Sequence, residues 1–319
     1  MNRQLKPLFL LGTALLLATA CTNDDTDTVD ITRPIDLHLS PARTVTAETK
    51  VDIDGEAFDP DDVIGLYLAW TDGATDTVDI TQTITQTTWK GNAFAGESLY
   101  WQNTADEHTI YAYYPYSANV EGYKVPVTIP DVQNADDEET CNILYGTFSG
   151  KAQNNVQIQM RHCMSLVNIT LKPGDGYKED GSDMPTITKV ALRLNLHTSG
   201  TLDLATGKVT LNEEGTTPDI TTYLLTDDTP DVPDYRAILM PGETIRGIMI
   251  TTDDGTDDGT NYTYEPETAP VTKANTQYNF TLELNKAGVT LGNLTIEKWD
   301  EKVITESGDA NMQISQDNG

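Results

Sequence analysis

The side chains of this sequence that could do chemistry are few and scattered. Cysteine occurs three times, at Cys21, Cys141 and Cys163, and histidine four times, at His38, His108, His162 and His197. No HExxH, no paired-His spacing and no Ser/His/Asp arrangement accompanies them, so neither a metalloprotease nor a triad hydrolase is indicated. Lone histidines on strand-like segments are more often structural than catalytic. Cys141 and Cys163 either pair as a disulfide, as an exported chain would permit, or stand as two half-buried thiols, because spacing does not decide geometry. With no CxxC and no neighbouring His they do not make a metal site. The densest carboxylate cluster is Asp253-Asp254-Gly255-Thr256-Asp257-Asp258-Gly259. Oxygen ligands on so tight a loop could suit a calcium ion, but the distal Glu of a calcium-binding loop is missing, and a solvated hairpin tip is the plainer reading. Tyr111, Tyr113, Tyr114 and Tyr116 could form a sugar-stacking surface, although strand alternation sends the first pair and the second pair to opposite faces, so some belong in the core. No Gly-rich phosphate loop and no basic stripe is present, which removes nucleotide and nucleic-acid partners. The chain therefore reads as non-enzymatic, with no cofactor.

Cys21 is different, because its surroundings specify a chemistry. Arg3 and Lys6 precede an uncharged apolar stretch, Pro7 to Ala20. That stretch falls short of the roughly 20 residues a membrane span needs and suits the apolar region of a signal peptide. Leu17 and the small residues Ala18, Thr19 and Ala20 lead into the cysteine. The segment resembles a bacterial lipobox, in which the thiol is acylated and the cysteine becomes the mature N-terminus, although the leucine sits one place early. The alternative is an ordinary cleaved signal with an incidental cysteine. Acyl chains would anchor the chain stably, at about 0.8 kcal/mol per buried methylene. The expected layout is a signal peptide over 1–20 and a lipidated acidic tether over 21–34. The run TNDDTDTVD after the cysteine resembles the surface-export signal of Bacteroidales lipoproteins, and also reads as a plain solvated linker.

The elements that must follow are strands. The formal net charge is −30 and becomes more negative once Arg3 and Lys6 are removed. Such a surface repels nucleic acid and anionic lipid and favours neutral or cationic partners. Threonine and aspartate are frequent, and Gly and Pro punctuate the chain at short intervals, as in an exported all-β protein. Ile35 to Leu39 alternates apolar and polar. Val63 to Trp70 is a continuous apolar run, and His108 to Tyr114 alternates. Val125 to Ile129 carries Pro126, which belongs at a sheet edge. Asn134 to Thr140 is expected as an acidic loop, Ser98 to Trp101 as a short strand, and Val156 to Leu171 as one long strand. Thr201–Leu204 and Lys208–Leu211 flank a hairpin turn at 205–207, and a second turn falls at Pro241-Gly242. No window predicts a convincing amphipathic helix.

In this order, DPDDVIGLYLAW, LYWQNTADEHTIYAYYPY, ILYG, MRHCMSLVNITL, GTLDLATGKV, AILMPGE and KANTQYNFTLELNKAGVTLGNLTIEKW resemble the fimbrillin family, the type V pilins and pilin-like surface lipoproteins of Bacteroidales. The resemblance implies an all-β chain of two transthyretin-like Greek-key β-sandwich domains in tandem, at 35–153 and 154–302. The tail over 303–319 matches least and is either polar appendage or donor strand. The resemblance further implies a subunit of cell-surface fimbriae, delivered to the outer membrane by its lipid, and assembly by strand exchange with other subunits after a protease cuts at an arginine. Arg43, in the polar stretch ARTVTAETK, fits that cut, whereas Arg33 is followed by Pro34. Ile35, Leu37 and Leu39 would be the groove-filling residues released with the strand. The alternative is a non-polymerising surface lipoprotein that binds a glycan or host ligand.

Overall fold

The computed structural model describes residues 29–40, 58, 62–72, 77–89, 94–96, 98–179, 181–213, 216–225, 234–256 and 259–299. These form an all-β protein with one short helix. The first strands are β1 (Leu37–Ser40), β2 (Val63–Asp72), β3 (Thr77–Trp89), β4 (Phe94–Gly96), β5 (His108–Tyr114) and β6 (Lys124–Thr128). Helix α1 (Asp137–Cys141) follows, then β7 (Leu144–Gly150), β8 (Val156–Gln159) and β9 (Arg161–His162). Six of these strands make one sheet in the order β4-β3-β2-β5-β7-β9. β1 and β8 form a separate two-stranded parallel layer. Between the layers lies a first core that includes Ile64, Leu66, Leu68, Ile110, Leu144, Val156, Ile158 and Met160.

The remaining strands are β10 (Ser165–Pro173), β11 (Ile187–His197), β12 (Ser199–Asp203), β13 (Lys208–Leu211), β14 (Thr216–Thr221), β15 (Tyr223–Leu224), β16 (Tyr235–Leu239), β17 (Gly247–Thr252), β18 (Thr260–Tyr264), β19 (Thr276–Asn285) and β20 (Gly288–Lys298). They build a five-stranded sheet, β15-β16-β10-β19-β20, and a four-stranded sheet, β14-β11-β17-β18. A second core lies between these sheets, with Leu166, Ile169, Val190, Leu192, Ile238, Ile248, Ile250, Phe280 and Trp299.

The unbroken apolar run of β2 now has a cause. Ile64, Leu66 and Leu68 face the first core, while Tyr67 on the opposite face joins the second. A strand covered on both faces has no reason to alternate. Tyr113 does the same from β5, and its ring lies so close over Gly65 that a Cβ there would stand 2.1 Å from it.

The two cores are not cleanly separated along the chain. β6 pairs with β12 in a three-stranded sheet, β13-β12-β6, so a cut at 153/154 would divide one sheet. β6 is the edge of that sheet, as Pro126 requires. The strap after β6 docks onto the second core. Both amide atoms of Gln133 bond the Ile238 backbone, at 2.7 and 2.8 Å. Three expectations need correction. The acidic loop contains α1, because Glu138 and Cys141 turn inward. Val156 to Leu171 is three strands, since inward-facing residues there serve two cores in succession. Ser98 to Trp101 is not a strand: Leu99 and Trp101 are buried in an irregular segment. The expected turn at 205–207 does close the β12–β13 hairpin, with Gly207 at φ +65°. The turn at Gly242 instead carries the chain from one sheet to the other.

Candidate functional site

Alternation in Ile35 to Leu39 puts three apolar side chains on one face, and that face lies on the first core. Ile35, Leu37 and Leu39 are half-buried there, while Asp36, His38 and Ser40 are exposed. Leu37 stands opposite Val156 and Leu39 opposite Ile158 in the parallel register. The Val156 amide donates to the Asp36 carbonyl and the Met160 amide to the Ser40 carbonyl, both at 2.9 Å. On the other side the Ile35 amide donates to the Leu99 carbonyl at 2.9 Å. Among the described residues β1 pairs with no strand but β8. Upstream, Val29 and Ile31 also pack on the first core.

A tight turn precedes the strand. Thr32 donates its amide and hydroxyl to Asp30 Oδ1, and Arg33 Nε lies 3.2 Å from Asp30 Oδ2. The Thr32 hydroxyl, its amide and the Arg33 guanidinium hold the Asp30 carboxyl below its usual range. A cavity of about 390 Å³ remains beside this turn, walled partly by Trp101, Gln153 and Asn154. The segment is thus a short parallel strand, inserted by its apolar face and held by few backbone bonds. Cys21, which would carry the lipid, and Arg43 lie outside the described residues, as does the tail from 303 onward.

The other candidate residues do not converge on a reactive site. Cys141 and Cys163 are both buried, and neither forms a disulfide here. Burial pushes their thiols up to about 11 and about 12. Asp253 and Asp254 are exposed, and their oxygens cap their own turn. Gly255 N bonds Asp253, while Thr256 and Thr260 occupy both oxygens of Asp254. Asp257 and Asp258 lie outside the described residues, and no group of three metal-binding side chains occurs among those described. The four histidines stay apart. His38 pairs with Asp36 at the surface, and His197 bonds Glu243 at 2.6 Å. His108 is buried between Trp70 and Trp101, and His162 stacks on Trp299 at 4.0 Å. Tyr113 and Tyr114 are core residues, whereas Tyr111 and Tyr116 are half-buried.

Sequence reading missed one cluster. Arg236 is wholly buried and donates to both oxygens of Glu138, while its Nε donates to Asn168 Oδ1. A single cation inside the apolar strand YRAIL was the available signal, since a buried guanidinium requires a carboxylate.

Fold and site together define an all-β protein whose short N-terminal strand packs by its apolar face on the first core. The family comparison agrees: a model described as fimbrillin-like matches residues 49–299, and the chain belongs to that family. No curated protein gives a significant match. Among solved structures, the fold is similar to that of a candidate cell adhesion protein from Bacteroides ovatus (19% identity, TM-score 0.64), over 84% of this chain and 98% of that one. It is also similar to a candidate cell adhesion protein from Bacteroides uniformis (22% identity, TM-score 0.59, 82% and 98% coverage). A fimbrial protein from Bacteroides vulgatus matches at 11% identity and a TM-score of 0.51, over 84% and 99%. At such identities these likenesses establish the fold.

Proposed function

We propose that this chain is a structural subunit of cell-surface fimbriae, delivered as a lipoprotein through Cys21 and assembled by strand exchange after cleavage at Arg43. Membership of the fimbrillin-like family supports the fimbrial role, and the names of the similar structures, cell adhesion and fimbrial proteins, point the same way. The observation that carries the exchange mechanism is the docking of β1. Its apolar face covers the first core, yet its ladder is one short parallel pairing with β8. Cleavage just beyond Ser40 would leave the segment held by five half-buried side chains, Val29, Ile31, Ile35, Leu37 and Leu39, and a few hydrogen bonds. A strand from a neighbouring subunit with the same alternation could then replace it and make its own ladder on β8. The lipid and the first strand would leave together, so the anchor serves delivery.

Incubation of the exported precursor with an Arg-specific protease tests this. The expected result is a new N-terminus at Thr44 followed by SDS-resistant ladders. A chain that is cut at Arg43 and stays monomeric refutes strand exchange, and a chain left uncut there refutes the processing step.

A further inference from the structure

The six-stranded sheet has a second face, and its outer end forms a corner that strand exchange does not use. On β5 and β7 the residues that point away from the first core are Thr109, Tyr111, Tyr113 and their cross-strand partners Ser149, Thr147 and Tyr145. The second core covers one end of this row, where Tyr113 and Tyr145 are buried. The other end stays open: Thr147 and Ser149 are exposed, and Thr109 and Tyr111 are partly so. The Thr109 and Ser149 hydroxyls lie 3.1 Å apart on this floor.

A wall rises where the floor meets the β6–β12 pair. Tyr123 packs its ring on Tyr67 at 5.0 Å and edge-on against Tyr111 at 5.7 Å. Beside them Lys124 is paired with Asp203, whose charge acts on the Tyr111 phenol. The wall is fastened to the floor, because the Tyr145 hydroxyl donates to the Leu204 carbonyl at 2.7 Å. Exposed hydroxyls, the half-buried rings of Tyr111 and Tyr123 and a carboxylate–ammonium pair thus stand side by side at this corner.

The geometry points to a binding site for a neutral hexopyranose unit of a glycan. The apolar face of a pyranose ring matches a phenol ring, and its hydroxyls match threonine, serine and carboxylate partners. A quaternary ammonium does not fit, because the three rings touch one another and leave no cage between them, and Asp203 already has its cation. An anionic sugar is disfavoured by a chain of net charge −30. The corner lies on the sheet face opposite the β1–β8 layer, so replacement of β1 by another strand leaves it open. The site does not depend on polymerisation.

The full-length protein applied to an array of neutral hexose-terminated and sialylated oligosaccharides tests this. Binding to the neutral set is expected, with a loss of about tenfold or more in Tyr123→Ala and Asp203→Asn. Thr147 is exposed on the floor, so Thr147→Arg fills the corner without disturbing the core and gives the same loss should Tyr123→Ala fail to fold. A wild-type protein that binds no neutral glycan, or that binds sialylated ones as well or better, overturns the assignment. Full binding retained in Thr147→Arg and Asp203→Asn does so too.

Discussion

Glu138→Ala is the perturbation whose cost the structure sets most directly. Arg236 is 0% exposed, and its Nη1 donates to the two Glu138 oxygens at 3.0 and 3.1 Å. The Tyr223 hydroxyl donates to Glu138 Oε2 at 2.5 Å. Burial, followed by the Glu138 carboxylate, pushes the Tyr223 phenol well above its ordinary range, so it remains a donor. The cluster pins α1 to β15 and β16. Removing the carboxylate leaves a guanidinium that cannot deprotonate buried without a counterion, a loss of about 3–5 kcal/mol. The orphaned hydroxyl adds about 1 kcal/mol. Against a typical stability of about 5–15 kcal/mol, this is a large share. With a urea slope of about 3 kcal/mol/M, the midpoint falls by roughly 1–2 M. Equilibrium urea unfolding followed by tryptophan fluorescence measures it, since Trp101 and Trp299 sit one in each core. The double variant Glu138→Met/Arg236→Met, which removes both charges, recovers most of the loss. A shift below about 0.3 M at constant slope in Glu138→Ala refutes the reasoning. A double variant as unstable as the sum of its parts refutes it equally.

Other outcomes follow from the same coordinates. Leu37→Asn with Leu39→Asn removes half-buried apolar contact worth about 1 kcal/mol at each site and speeds hydrogen exchange of the Val156 and Met160 amides, whose acceptors are the Asp36 carbonyl just before β1 and the Ser40 carbonyl at its end. Unchanged exchange there would mean the strand is held by something else. Burial holds the His108 imidazole below its ordinary value of 6.5, while the Asp106 carbonyl opposes this more weakly. The unfolded chain therefore takes up the proton more readily. The stability from a neutral His108 is complete above pH 6.5 and is lost as the pH falls from there toward the depressed folded value. Urea midpoints measured between pH 7 and 5 should fall more in the wild type than in His108→Phe. Trp299→Ala removes the stack on His162 at the junction of the cores and costs about 3–5 kcal/mol by the same assay. Cys141 and Cys163, buried and held protonated, should resist a thiol reagent at pH 8 until urea unfolds the chain; prompt labelling of the native protein would contradict their burial.

Local pattern made the strand content readable. Apolar alternation marked β1, β5 and β6, a continuous apolar run marked β2, and Pro126 identified an edge, because each signal depends on one strand and its immediate cover. The helix α1 escaped, because an acidic segment resembles a solvated loop until a buried Arg236 accounts for Glu138. The division of Val156 to Leu171 escaped for a related reason: alternation records which side is apolar and not which core lies there.

By itself, the sequence determined the all-β class and the apolar face of Ile35, Leu37 and Leu39. These follow from residue type and spacing of two. The tertiary structure alone decided what that face rests on, in what direction β1 pairs, and which tyrosines stay within reach of solvent. Tyr111 of β5 meets Tyr123 of the turn that leads into β6, and Glu138 meets Arg236 across 98 residues of chain. Contacts of that kind are products of how sheets stack, and no local pattern encodes them.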